Sequence, residues 1–154
     1  MDAVVGHHLA QVNIGRLRAS EGSPVVAEFF AGLDPVNALA DAAPGFVWRL
    51  QTEAGNATDV RVDDDDLVIV NLSVWASVDA LRAFVYRTDH RDYLRRRREW
   101  FTAMDEAFTA LWWVPEGTTP TALDAVDRLA RLREAGPGPG AFTFRSVFPP
   151  PADG

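Results

Sequence analysis

The sequence predicts an α+β fold, a ferredoxin-like antiparallel sheet with its helices on one face. Three observations lead there. Short runs of branched and aromatic residues alternate with stretches of helical period. Taken along the chain, these segments follow the order β, α, β, β, α, β, α. A central stretch, residues 70–113, carries strand, helix and strand in succession. With 154 residues, 47% of them apolar, the chain has the material for one domain spanning 1–154, ending in a Pro/Gly-rich tail.

Residues 9–17 alternate as a first strand, with Leu9, Gln11, Asn13 and Gly15 on one side and Ala10, Val12 and Ile14 on the other. His7 and His8 precede it and read as surface residues. Ser23 and Pro24 mark a helix start as N-cap and first helical residue, and Val25, Val26, Phe29, Phe30 and Leu33 form the buried face. Pro35 is expected to end that helix, leaving Val36, Leu39 and Ala40 in a second short turn before Pro44-Gly45. Asn37, in that second piece, either caps locally or faces a pocket. Residues 46–51 read as a strand with Phe46, Trp48 and Leu50 sharing a face. Gly55-Asn56 signals a turn. Asp63 to Asp66 lack the spacing and glycine of a calcium loop and read as a solvated hairpin loop.

A branched run around Val68, Val70, Leu72 and Val74 makes the next strand. Ser77 caps a helix whose apolar positions are Val78, Leu81, Phe84 and Val85. Thr88-Asp89 offers a fresh cap, after which Tyr93, Leu94, Arg97, Trp100, Phe101 and Met104 keep the helical period. Residues 108–114 form a strand stopped by Pro115 and Gly117. The cap-and-proline run from Gly117 to Thr121 opens an amphipathic helix bearing Leu123, Val126, Leu129 and Leu132, which ends at Gly136. Ala141 to Phe144 is expected to dock on the body. Trp48 and Trp112 or Trp113 fall at alternating strand positions and cannot all meet one helical layer. A second copy of the chain is the expected cover for the other sheet face, which makes a homodimer.

Composition excludes several chemistries. The chain has no cysteine, which removes disulfides, thiolate metal sites and thiol catalysis. Lysine is absent, so no Schiff base can form on a side chain. A net charge of −7 argues against general nucleic-acid binding. No run approaches membrane-spanning length and no signal peptide opens the chain, so a cytoplasmic protein with no membrane partner is expected.

The segments LAQVNIGRL, PGFVWRLQTEAGNAT, NLSVWASVDALRAFVYRTDHRDYLRRRREWF, LWWVPEG and AFTF resemble a bacterial family known as a domain of unknown function (number 3291). The resemblance covers nearly the whole chain. That family is similar to the dimeric α/β-barrel superfamily, which implies the same sheet and a dimer. The superfamily includes cofactor-free antibiotic-biosynthesis monooxygenases, haem-degrading monooxygenases, other haem enzymes, isomerases and lyases, so fold leaves the chemistry open. The cofactor-free, quinone-forming members resemble this chain in an Asn and a Trp near a strand end, here Asn71 and Trp75. Haem degraders are similar in a first-strand Asn, here Asn13, and a helix His, here His90. Where the family commonly has Gly-His before its Pro-Thr helix start, this chain has Gly117-Thr118.

Tyr86, His90, Leu94, Arg97 and Phe101 would share one helical stripe, with His90 as a general base and Arg97 holding an anionic oxygen. The plainer alternative makes His90 a helix-junction cap and Arg95 to Arg98 a solvated face with one arginine paired to Asp92 or Glu99. The five tryptophans are enough to line an aromatic pocket as well as a core. The expected catalytic residues are His90, Tyr86, Asn71 and Trp75. The expected substrate contacts are Asn13, Trp48, Arg97, Phe101 and Trp112. The function that follows is a monooxygenase-like oxidoreductase, needing no cofactor and no metal, that acts on a hydrophobic aromatic or polyene small molecule. The alternatives are a binding or accessory protein without chemistry, and a haem-dependent enzyme with His90 as axial ligand.

Overall fold

In a computed structural model that describes residues 6–19, 22–50, 68–86, 96–102 and 108–151, β1 (His7–Arg16) runs through the middle of a four-stranded antiparallel sheet. The strand order is β2-β3-β1-β4, with β2 at Phe46–Arg49, β3 at Val68–Trp75 and β4 at Thr109–Pro115. This is the ferredoxin-like α+β sheet the sequence predicts. β1 pairs without a bulge to both neighbours, placing Asn13 opposite Asn71 and Thr109, and Leu9 opposite Trp75 and Trp113. The two-residue period of β1 is therefore copied across the sheet, and each face has one character.

Three helices sort onto these faces. α1 (Ala27–Asp41) follows a 3-10 turn at Pro24–Val26, where the Ser23 hydroxyl accepts from the Val25 amide at 3.2 Å. Pro35 lies inside α1 and does not end it. The helix loses the amide bond Pro35 would have made, but Val36 and Leu39 beyond it pack on the Trp75 and Leu81 cluster, and that burial carries the helix on. α2 (Val78–Val85) is capped by Ser77, which accepts from the Ala80 amide at 3.0 Å. Gly45, at φ +81°, lets the β2 entry pass against α2, because a Cβ there would lie 2.5 Å from that of Ala80. A single turn, α3 (Arg97–Trp100), and α4 (Ala122–Ala135) complete the helices among the described residues. α4 opens with a capping box in which the Thr121 hydroxyl accepts from the Asp124 amide at 3.1 Å and the Asp124 carboxylate accepts from the Thr121 amide at 2.9 Å. No helix among the described residues is long and apolar enough to cross a membrane.

α1 and α2 lie over one face, but α4 lies over the other, so the expectation of helices on a single face is corrected. Val12, Val70, Leu72, Val74 and Trp112 point toward α4, which supplies Ala125, Leu129 and Leu132. The expected homodimer rests on a bare second face. That face is dry within one chain, so this reason for a second copy falls away. The segment after α4 then crosses to the opposite face. Phe142, fully buried, exchanges backbone bonds of 2.8 Å with Leu111, so the short apolar piece docks as expected.

The tryptophans divide between the faces. A bulge between Phe46 and Trp48 sets Phe46 opposite Trp75 but Trp48 opposite Val74, so these two point to opposite sides. Trp48 and Trp112 both join the α4 side, away from α1 and α2. Trp112 is 2% exposed, and Trp112→Ala is expected to cost about 3–5 kcal/mol of unfolding free energy in urea melts. Thr121→Ala, which removes only a cap, is expected to cost about 1 kcal/mol in the same measurement.

Candidate functional site

Between the sheet and the layer of α1 and α2 lies a cavity of about 590 Å³. Its two ends are aromatic for different reasons. Near the start of β1, Trp75 stacks on Phe84 with ring centroids 5.2 Å apart and meets Phe46 edge-on at 5.4 Å. Beyond the end of β1, Leu17 bridges to Phe101, which packs edge-on with Phe29 at 4.9 Å. Trp100 adds to that second cluster. Phe144 and Arg145, from the segment after α4, contribute to the wall.

The sheet floor between the two ends is polar. Gln11 and Ser73 are cross-strand partners, as are Asn13 and Asn71 one step along. Gln11 Nε2 donates to Asn71 Oδ1 at 2.6 Å and to Ser73 Oγ at 2.8 Å. Asn13 Nδ2 donates to Gln11 Oε1 at 3.3 Å and, at a long 3.4 Å, to Asn71 Oδ1. Trp75 Nε1 donates to Ser73 Oγ at 2.9 Å. Gln11 and Ser73 are 6% and 7% exposed, and they are the buried polar residues of the described chain. Such groups stay buried only when bonded, and each bond here also fixes a side-chain direction.

Charged side chains brace the site from outside. Arg49, in the row of Ser73, donates from Nε to Asp41 Oδ1 at 2.8 Å and ties β2 to the end of α1. Arg96 donates to both carboxylate oxygens of Glu99 at 2.9 Å, pairs with Glu28 of α1, and lies over the Trp100 ring at 4.9 Å. The bonds to Glu99 and then Glu28 hold the Arg96 guanidinium above its usual pKa. The same bond from Arg96 holds the Glu99 carboxyl below the ordinary carboxylate range. This pairing matches the plainer reading of the arginine run. Glu99 was one of the two partners that reading named.

The expected site residues separate on this frame. Asn13, Asn71, Trp75 and Phe101 line the cavity. Trp48 and Trp112 do not, since pleat and bulge send them to the α4 face. Tyr86 caps the end of α2, is 59% exposed and is not in the wall. The expected stripe from Tyr86 to Phe101 does not begin or end in a helix, because α2 ends at Val85 and Phe101 sits in a bridge to Leu17. His90, as base or haem ligand, lies outside the described residues, as do the acidic run Asp63 to Asp66 and the Arg97 side chain. The described cavity wall holds no Asp, Glu or His. Gln11, Ser73 and Arg49 were missed. The signal for Gln11 and Ser73 was present as polar residues alternating with apolar ones on two strands, but only pairing brings the two polar rows together.

Gln11→Leu keeps the volume but strips Asn71 Oδ1 and the buried Ser73 Oγ of a donor. A loss of about 1–3 kcal/mol in thermal or urea unfolding is expected. A variant as stable as the parent would show that the floor is not a bonded unit.

Comparison with curated proteins finds no match. Among solved structures, Rv0793 from Mycobacterium tuberculosis is similar at 15% identity and a TM-score of 0.50, covering 74% of this chain and 99% of its own. SnoaB, a cofactor-independent oxygenase from Streptomyces nogalater, is 21% identical with a TM-score of 0.49, covering 75% of this chain and all of its own. A Pseudomonas aeruginosa protein, PA3566, is 10% identical with a TM-score of 0.49, covering 75% of this chain and all of its own. At these identities the likeness concerns the fold alone, the ferredoxin-like sheet. The family model described as a domain of unknown function, DUF3291, matches residues 8–154, and the chain belongs to that family.

Proposed function

We propose that the protein is a monooxygenase-like oxidoreductase that oxidises a flat, hydrophobic aromatic molecule without a bound cofactor. The observation that carries this reading is the cavity itself, about 590 Å³ with aromatic ends and a bonded amide and hydroxyl floor. Such a space takes a planar ligand by its faces and orients it through a few polar contacts.

The chemistry needs little from the protein if the substrate is electron-rich. An activated methylene conjugated through a ring to a ketone loses a proton to give an enolate, which passes electrons to dioxygen. Overall, the methylene carbon becomes a ketone, both of its C–H bonds are broken, and one dioxygen is consumed. The substrate supplies all four electrons, one oxygen atom enters the product, and the other leaves as water with the two hydrogens. Asn71 would stabilise the enolate oxygen through its amide N–H, and the aromatic walls would limit the access of bulk water. His90 is the proposed proton acceptor, since an imidazole titrates near neutral pH.

Anthrone is a suitable probe, because its oxidation gives anthraquinone and consumes one dioxygen per turnover. Purified protein is expected to raise dioxygen uptake and anthraquinone formation above the protein-free rate. His90→Ala is expected to lower that rate by about 10²-fold or more without a change in melting temperature. Anthrone bound with no added uptake would remove the oxygenase reading. It would favour a second one, a binding protein without chemistry.

A further inference from the structure

We infer that Ser73, held by Gln11, is the hydrogen-bond donor that selects the ligand, and that the cavity floor recognises a carbonyl or phenolate oxygen. The inference rests on the reading above that a flat aromatic molecule enters this cavity.

The argument is an accounting of lone pairs and protons. A serine hydroxyl offers two lone pairs and one hydrogen. Ser73 Oγ accepts from Gln11 Nε2 at 2.8 Å and from Trp75 Nε1 at 2.9 Å, so both lone pairs are in use. The indole nitrogen can only donate, which fixes the direction of the second bond. The hydroxyl hydrogen must then leave along the remaining direction. Ser73 is 7% exposed and lines the cavity, and among the described residues no bond has its hydroxyl as donor. A buried O–H without an acceptor is costly unless something in the cavity receives it.

Gln11 sets this polarity. Both hydrogens of its amide are spent, one on Ser73 and one on Asn71 Oδ1, while its oxygen accepts from Asn13. With its oxygen engaged by Gln11, Asn71 presents its own amide N–H groups, which have no partner among the described residues. Ser73 and Asn71 alternate on β3 and share the cavity side. Together they form a donor pair. Trp75, by contrast, is 1% exposed and its N–H is taken by Ser73, so it meets a ligand only through its ring. A hydrogen bond to the ligand from this part of β3 therefore comes from Ser73, two residues before Trp75. Gln11 acts as a positioning residue, through its bonds to Ser73 and Asn71.

The test compares two probes of one outline, 1,4-naphthoquinone with acceptor oxygens and naphthalene without, by equilibrium dialysis. The chain has no cysteine thiol or lysine amine for the quinone to add to, so its binding is read without side reactions at those groups. The parent protein is expected to hold the quinone about tenfold tighter than naphthalene, the size of one hydrogen bond. Ser73→Ala should remove most of that preference while naphthalene binding stays, and Ser73→Thr, which keeps the hydroxyl, should restore it. Ser73→Ala also strands the Trp75 N–H, so its binding is measured well below its melting temperature. If it does not fold, Gln11→Met serves, because it leaves the Trp75–Ser73 bond in place and is expected to reduce the preference severalfold. Equal binding of both probes by the parent overturns the donor floor alone. A quinone preference that survives in the folded variants does the same. Failure of both probes to bind overturns the aromatic cavity reading as well.

Discussion

Each side chain of β1 is committed by the strand pleat to one of two faces, and the cores of both faces are closed off from water. This constraint organises the molecule. Ala10 and Val12 must meet an apolar layer, which α4 supplies through Ala125, Leu129 and Leu132. Leu9, Gln11 and Asn13 face α1 and α2, where Leu9 is packed and the two amides are not covered by apolar groups. Because β3 and β4 pair with β1 in unbroken register, the same division extends across three strands. A one-residue slip would put Gln11 and Ser73 against α4 and expose Val12 and Leu72 to the cavity.

The polar floor is the costly part of this arrangement and the informative one. Filling the space with apolar side chains would have given a tighter core with no buried amides to satisfy. The chain instead keeps an open volume and surrounds its polar strip with rings. Bonds internal to the strip satisfy most of its atoms, which holds it rigid from the buried Gln11 and Ser73 out to the exposed Asn71. The atoms left over all face the cavity. A site of this kind is selective by shape at its ends and by hydrogen-bond polarity at its centre.

The arginines do structural work around that cavity. Arg49 ties an edge strand to α1 through Asp41, and Arg96 joins α1 to the turn that carries Trp100. Arg82 sits over the Phe144 ring at 5.6 Å and steadies the segment that crosses from α4. Exposed pairs of this sort add little stability singly. Their effect here is to hold walls that belong to distant parts of the sequence at a fixed spacing.

The sequence by itself determined the strands, the caps and the order of elements, because these follow from local period and local hydrogen bonding. Ser23, Ser77 and Thr121 cap where a side-chain oxygen precedes an apolar period, and β1 and β3 alternate as written. The family was legible too, from long blocks of the chain. What a single strand could not disclose was which face its partner would share. Trp48 was misassigned because a bulge beside Val47 reverses the pleat, and a bulge is set by pairing across strands. Pro35 stays within α1 because distant packing outweighs a local penalty. α4 was legible as an amphipathic helix, but the sheet face it covers was not. Gln11 and Ser73 lie sixty-two positions apart, and only the β1–β3 register makes them one hydrogen-bonded unit. Local chemistry wrote the elements, and long-range pairing decided the site.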